Sequence, residues 1–396
     1  MGGYQMTEKQ DQHATLILWS LAISAFAIGS TEFISVGLLP LLVSQFKISL
    51  AMASLTVSGY AFGVMIGAPV LTILTARWNR HTLMVGIMIV FILGNLIAAS
   101  AQNFVWLLFG RLIAAVIHGL FMSVSSVIAA DVVAPSKRAS AIAMIFTGLT
   151  VATVTGVPLG TFIGQHFGWR FSFLFLALIG LASLLATWIL IPRNLPVGKA
   201  IQLKNIGRLI ADKKILLALL LTVFGYGSTF TSYTYISPIM TGLMHFQAST
   251  VVIILIVYGL MVAIGNTVGG RFANQNPLTG LLWMFAFLTV VQFLLGMFIN
   301  FKWLGLIMVL FLGLFAFMNV PGEQLVIVQL AEQDHPEDIG LASALNISAF
   351  NIGIMIGSGL GSQIVETTGL AMTPYVGVLM GVLAIGLTWI LKRVVK

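Results

Sequence analysis

The sequence predicts an all-α polytopic membrane protein: twelve transmembrane helices in two pseudo-symmetric six-helix bundles. Three observations point there. Of the 396 residues, 59% are hydrophobic and only 8% charged, with a mean hydropathy of +1.06, which excludes an ordinary soluble domain. Apolar stretches of about 20 residues recur along the chain, each long enough to cross a ~30 Å hydrocarbon core. The short alternating strands of an outer-membrane barrel are not seen. Finally, the stretches fall into two sets of six around a polar, basic centre at 193–213.

Taken in order, the chain opens on a polar segment of mixed charge up to about His13. It lacks the compact basic region and short apolar core of a cleaved signal, so the first stretch is expected to be retained. Spans are expected at 15–38, 50–73, 82–101, 104–131, 140–164 and 170–191, then at 214–237, 248–270, 278–299, 303–330, 339–364 and 371–391. This divides the chain into an N-terminal bundle (1–192), a central loop (193–213) and a C-terminal bundle (214–396).

Charge sets the expected orientation. Of the 19 Lys and Arg, only Lys47, Arg170 and Lys302 fall on the side opposite the termini, and Arg111 lies within a span. That bias puts both termini and the central loop in the cytoplasm. The net charge of +8 is therefore a topology signal, scattered over loops, and not a nucleic-acid footprint. The halves also resemble each other. Gly63-Val-Met-Ile-Gly67-Ala-Pro-Val in the second span matches Val262-Ala-Ile-Gly265-Asn-Thr-Val in the eighth, as expected of halves related by an axis along the membrane normal.

The chemistry concentrates in the fourth span, Gly110-Arg111 through His118-Gly119. Seven residues is close to two turns, so Arg111 and His118 share a face ~10 Å apart. An intramembrane Arg must face protein or water, and Glu32, at similar depth in the first span, is its expected partner. A carboxylate beside a guanidinium can trade that partner for a proton; the alternative is a static pair joining two helices. His118 either relays a proton or packs as a satisfied polar group. Glu323, after Pro321-Gly322, is a second candidate proton site or an interfacial carboxylate. The seventh span carries Tyr226, Ser228, Thr231, Ser232, Tyr233, Thr234, Tyr235 and Ser237, too polar to face lipid. Tyr226, Thr231 and Tyr233 are candidate substrate contacts, and Tyr235 is expected to be an interfacial anchor. Asn346 and Asn351 of the eleventh span join them. Glycines repeat every four residues at 156–164 and 353–361, a pattern for close helix approach.

Nothing predicts an enzyme. There is no phosphate-cradling glycine loop, no metal-spaced His/Cys set and no nucleophile triad, and cysteine is absent. Neither cofactor nor metal is expected, and energy must come from an ion gradient or the solute's own.

These residues resemble the major facilitator superfamily, in particular its twelve-span drug:proton antiporter group with the arabinose-efflux-permease-like proteins. The likeness rests on Thr31-Glu32-Phe33, Gly37-Leu-Leu-Pro40, Gly110-Arg111, His118-Gly119, Asp131 through Arg138, Gly156-Val-Pro158-Leu-Gly160, Gly168-Trp169-Arg170, Tyr233 through Pro238, Gly265-Asn266 and Phe350-Asn351-Ile-Gly353. It implies bundles that open a central cavity alternately to each side, a functional role for Arg111, and an antiporter motif at Gly156, Pro158 and Gly160. Val157 departs from that motif, which usually has Gly directly before Pro. The loop after the second span departs further: Thr72, Ala76, Arg77, Asn79, Arg80 and His81 stand where the family has roughly Gly-x-x-x-Asp-Arg-x-Gly-Arg-Arg. With that Asp missing, Arg77 is expected to pair with Asp131 as an inner gate, Arg80 being the loop's other basic residue. The resemblance implies a monomeric proton-coupled exporter in a bacterial inner (plasma) membrane. Its cargo would be a small organic compound: a sugar or glycoside, a drug such as chloramphenicol, or a purine-like metabolite. A uniporter with a structural Glu32–Arg111 pair and a non-transporting membrane sensor are the alternatives.

Overall fold

A computed structural model describes residues 8–133, 138–193, 195 and 203–395; Lys137, Lys199 and the first part of the central loop, 194 and 196–202, lie outside the described residues. Among the described residues, twelve helices are long and apolar enough to cross a membrane, by length and composition. Spans 1 to 6 are His13–Phe46, Leu50–Thr75, Arg80–Ala99, Phe104–Ala129, Thr147–Phe167 and Trp169–Leu190. Spans 7 to 12 are Lys213–Leu243, Ala248–Ala273, Pro277–Phe298, Lys302–Asp334, Ile339–Thr367 and Leu370–Val394. The loop at 46–50 marks what we term the far face; the loop at 75–80 marks the terminal face, where the described chain also starts and ends. Side chains accepting free amide hydrogens cap several span starts, among them Ser49, Asn79, Asn103, Asp212 and Asn276.

Five spans are not continuous α-helix; span 12 opens on a short 3-10 turn, Leu370–Met372. Span 4 breaks at Ile117, between Phe104–Val116 and His118–Asp131. Span 10 breaks between Lys302–Ala316 and Val320–Asp334, with Pro321 in the first turn of the second piece, where its missing N–H costs nothing. Span 5 carries a π-helical turn, Ala152–Gly156, just before Pro158. Span 7 bends at Thr234–Tyr235 and continues through Ile236–Pro238 into a π-helical turn, Ile239–Leu243. It therefore runs past its expected end near Ser237, because Pro238 falls at the start of a new helical piece rather than terminating the old one.

The internal repeat has a packing counterpart. A Cβ at Gly67 would strike the Val116 carbonyl of span 4, and one at Gly265 would strike the Leu314 carbonyl of span 10. Likewise Gly156, Gly160 and Gly164 of span 5 sit against Ser30, Ile34 and Leu38 of span 1. Gly353, Gly357 and Gly361 of span 11 sit against Val223–Gly227, Gly227 and Thr231–Tyr235 of span 7. Both glycine stripes thus bind helices within one half. Gly168 and Gly369, six spans apart, both turn the chain at positive φ, 98° and 102°.

One apolar core draws only on residues 17–191, a second on 209–391, and a third joins spans 1, 2 and 5 to spans 7 to 11. Hydrogen bonds between the halves gather at the far face: Ser49 to Glu366, Ser362 to the Ala51 carbonyl and Gln165 to the Ala248 carbonyl. Exposed Trp78, Trp188 and Trp389 ring the terminal face and Trp106 and Trp303 the far face, as interfacial belts do.

Candidate functional site

Arg111 is 1% exposed, and backbone answers its charge. Its Nε donates to the Thr56 carbonyl at 2.7 Å, Nη1 to the Thr31 carbonyl at 3.0 Å and Nη2 to the Glu32 carbonyl at 3.3 Å. Helical carbonyls retain a lone pair beyond their helix bond, so one rigid guanidinium fork can tie spans 1, 2 and 4 together. Tyr60 of span 2 lies below it, ring centroid 4.7 Å from Cζ, adding a cation–π contact in a desolvated site. The expected Glu32–Arg111 ion pair is not formed: within the described residues no carboxylate lies in ion-pair range of Arg111. Glu32 contributes its carbonyl, while its half-buried side chain stays in electrostatic reach of Arg111, Tyr60, Tyr226 and Tyr233.

His118 starts the helix after the Ile117 break, and its Nδ1 lies 3.4 Å from the Tyr60 hydroxyl. Tyr60 therefore stands between Arg111 and His118. Sequence reasoning missed it, although its depth, ten residues from the far-face end of span 2, falls between theirs.

Against this cluster lies an aromatic one. Phe33 of span 1 packs on Phe230, Tyr233 and Phe317 with centroids 6.0, 6.0 and 6.1 Å away. Tyr226 meets Phe230, Phe317 and Phe350, and Tyr258 stacks on Tyr233 at 5.4 Å. Tyr226 and Tyr233 were expected here; Phe33, Phe230, Phe317, Phe350 and Tyr258 were not, since aromatic residues in apolar spans carry no distinguishing signal.

Other candidates lie deeper. Thr231 is buried, bonding the Ser228 carbonyl and, with Ser232, the Gln292 amide of span 9. Asn346 is buried between Thr222 and Gln324. Asn351 donates to the Ile347 carbonyl of its own helix. Tyr235 is not an interfacial anchor: it is fully buried, and its hydroxyl donates to the Ser358 carbonyl at 2.9 Å, because the bend in span 7 turns it onto span 11. Glu323 is fully buried beside Gly225.

At the terminal face Asp131 pairs with Arg80, not with Arg77. Arg80 opens span 3, next to the end of span 4, whereas Arg77 belongs to the preceding loop. Asn79, in the family's glycine position, caps span 3 and donates to the Arg193 carbonyl. Spans 7, 10 and 11 and the helix Leu203–Ala211 are linked by Lys214–Asp334, His335–Asp212 and Arg208–Asp338. Asp212 lies below its ordinary value of 3.8: burial pushes it up, but hydrogen bonds from His335 and the Ile215 and Lys214 amides outweigh that.

A membrane-buried cation and imidazole and a half-buried carboxyl thus lie beside an aromatic wall at the junction of two helical sets. Comparison with known proteins identifies the family. Residues 21–337 match the Major Facilitator Superfamily. The chain is 49% identical to the uncharacterized MFS-type transporter YtbD of Bacillus subtilis, covering 94% of each. It is 35% identical to the inner membrane transport protein YdhP of Escherichia coli K12 (95% of this chain, 96% of that one), and 30% identical to a probable sugar efflux transporter of Pasteurella multocida (94% and 91%). Its fold matches an inward-facing bacterial Spinster homologue with a TM-score of 0.74 at 16% identity, over 96% and 97% of the two chains. The chain belongs to the Major Facilitator Superfamily: it is a multi-pass membrane transporter, not an enzyme.

Proposed function

We propose that this transporter is a proton-coupled exporter of a small organic compound in a bacterial inner membrane, with both termini cytoplasmic. Bundles 1–192 and 214–396, joined by 193–213, rock about the central site. One observation carries the reading. Arg111 is satisfied by three carbonyls and a ring, so the Glu32 carboxyl is not spent on an ion pair and is free to exchange a proton. Arg111 lies beside the exchanging carboxyl, and His118, through Tyr60, tunes the site. With the termini inside, the far-face seal corresponds to an inward-facing carrier. The relative named a sugar efflux transporter supports a sugar-like cargo; the aromatic wall suits a ring compound with an apolar face.

Proton release is the test. Purified protein in weakly buffered detergent at mildly alkaline pH receives sugars, phenicols and purines in turn, wild type beside Glu32→Gln. Release with one compound class, lost in the variant, supports antiport. Binding without release makes the chain a uniporter, a reading that the structural anchoring of Arg111 also fits.

A further inference from the structure

Spans 7 to 12 bury a second set of polar atoms that the central cluster does not use. Glu323 and Asn319 are both 0% exposed. Neither carboxyl oxygen of Glu323 and neither amide atom of Asn319 has a hydrogen-bond partner within the described residues. The two stand four residues apart on either side of the start of Val320–Asp334, after the break in span 10, a spacing that puts both side chains on one face. Gly225 of span 7 makes the room, since a Cβ there would lie 2.9 Å from Glu323 Oε1 and closer still to the Phe285 ring.

An ionised carboxylate in a dry membrane interior requires a paired cation or several donors. Here span 9 presents Phe285, and span 7 presents Gly225 followed in sequence by Tyr226. Tyr226 is the titratable group facing Glu323; Arg271 of span 8 is exposed, and Asp334 and Asp338 lie at the terminal face. Among the described residues no cation pairs with Glu323. An apolar residue would fill this volume at less cost, which makes the pair a built feature.

We propose that Glu323 and Asn319 form a second proton-binding site, separate from the Glu32–Arg111–His118 cluster. While the far face is sealed, Glu323 is a neutral carboxylic acid, and the Asn319 amide on the same helix face is the acceptor its O–H can reach by a side-chain turn. The proton leaves only when span 10 opens at residues 317–319 and admits water to the carboxylate.

Infrared difference spectroscopy on purified protein, stepped between neutral and alkaline pH, reads the carboxyl directly. Wild type and Glu32→Gln are expected to show a protonated-carboxyl band at neutral pH, where an ordinary glutamate is ionised. Glu323→Gln, which keeps the shape, should lack it, and Asn319→Ala should displace it. An identical band in Glu323→Gln, an undisplaced band in Asn319→Ala, or removal of the band by sodium ions would overturn the site. A second measurement rests on the proton-coupled reading above. In proteoliposomes under one pH unit, one-proton exchange accumulates solute about tenfold. Glu323→Gln should lose that accumulation but keep solute-for-solute exchange, and full accumulation would show a static proton. If wild type itself fails to accumulate solute, the coupling reading fails while the spectroscopic result stands.

Discussion

Arg111 takes the backbone carbonyl of Glu32, 3.3 Å from Nη2, and leaves the Glu32 carboxyl without an ion pair among the described residues. A fixed cation and a titratable acid thus share a site without neutralising each other. The cation organises spans 1, 2 and 4, and the acid keeps its freedom to change protonation.

Arg111→Lys should therefore fail despite conserving charge. An ammonium on a flexible stem cannot reach three carbonyls on two helices and cover the Tyr60 ring. Losing two hydrogen bonds to a charged group, at about 1.5–3 kcal/mol each, predicts a destabilisation of about 3 kcal/mol or more. Thermal melting in detergent measures it; wild-type melting would show that the carbonyl contacts carry little.

Tyr60→Phe separates two roles. The ring over Arg111 remains and the hydroxyl 3.4 Å from His118 Nδ1 goes. Stability should fall by no more than about 1 kcal/mol, while the pH profile of transport shifts. Tyr60→Leu removes the ring too and should cost about 2 kcal/mol more.

The repeat makes a paired prediction. Gly67→Val and Gly265→Val each drive a side chain into a carbonyl of the span two further along. Both should destabilise by about 1–3 kcal/mol or more, as overpacking does. Gly359→Ala, which meets nothing within 4 Å, should stay within about 0.5 kcal/mol. Melting of the three variants side by side checks this.

Asp212 supplies a pH dependence outside the membrane. Its folded-state value is held below 3.8, so its contribution is complete above the unfolded value and is lost as pH falls through the lowered folded value. Asp212→Ala also removes the cap on Lys214 and Ile215 and should cost about 1 kcal/mol near neutral pH. Hydrogen exchange over 203–216 should show faster opening in the variant at neutral pH, with the difference closing below about pH 4.

Most of the fold was legible because membrane spans announce themselves through length and hydropathy, and glycine spacing marks close packing. Arg111 and His118 were visible because charge in a span is costly. Partners were harder to read. The sequence suggested Glu32 for Arg111 because opposite charges attract, yet three carbonyls did the work, and backbone acceptors leave no trace in side-chain identity. Arg77 and Arg80 were equally basic; only the start of span 3 decided which reached Asp131. Phe33, Phe230 and Phe317 look like any lipid-facing phenylalanine until helix rotation is known. Tyr235 resembled an interfacial anchor because the bend in span 7 was not foreseen.

The most direct measurement of the central claim uses proteoliposomes holding purified protein and the solute identified by proton release. An outward-directed proton gradient (acidic lumen) is imposed across the vesicles, and solute and proton fluxes are followed together. Wild type is expected to accumulate solute in the lumen with matching proton exit, and Glu32→Gln to equilibrate solute without accumulating it. Equal accumulation by the variant, or solute flux in wild type with no proton movement, would contradict a coupling role for the unpaired carboxyl.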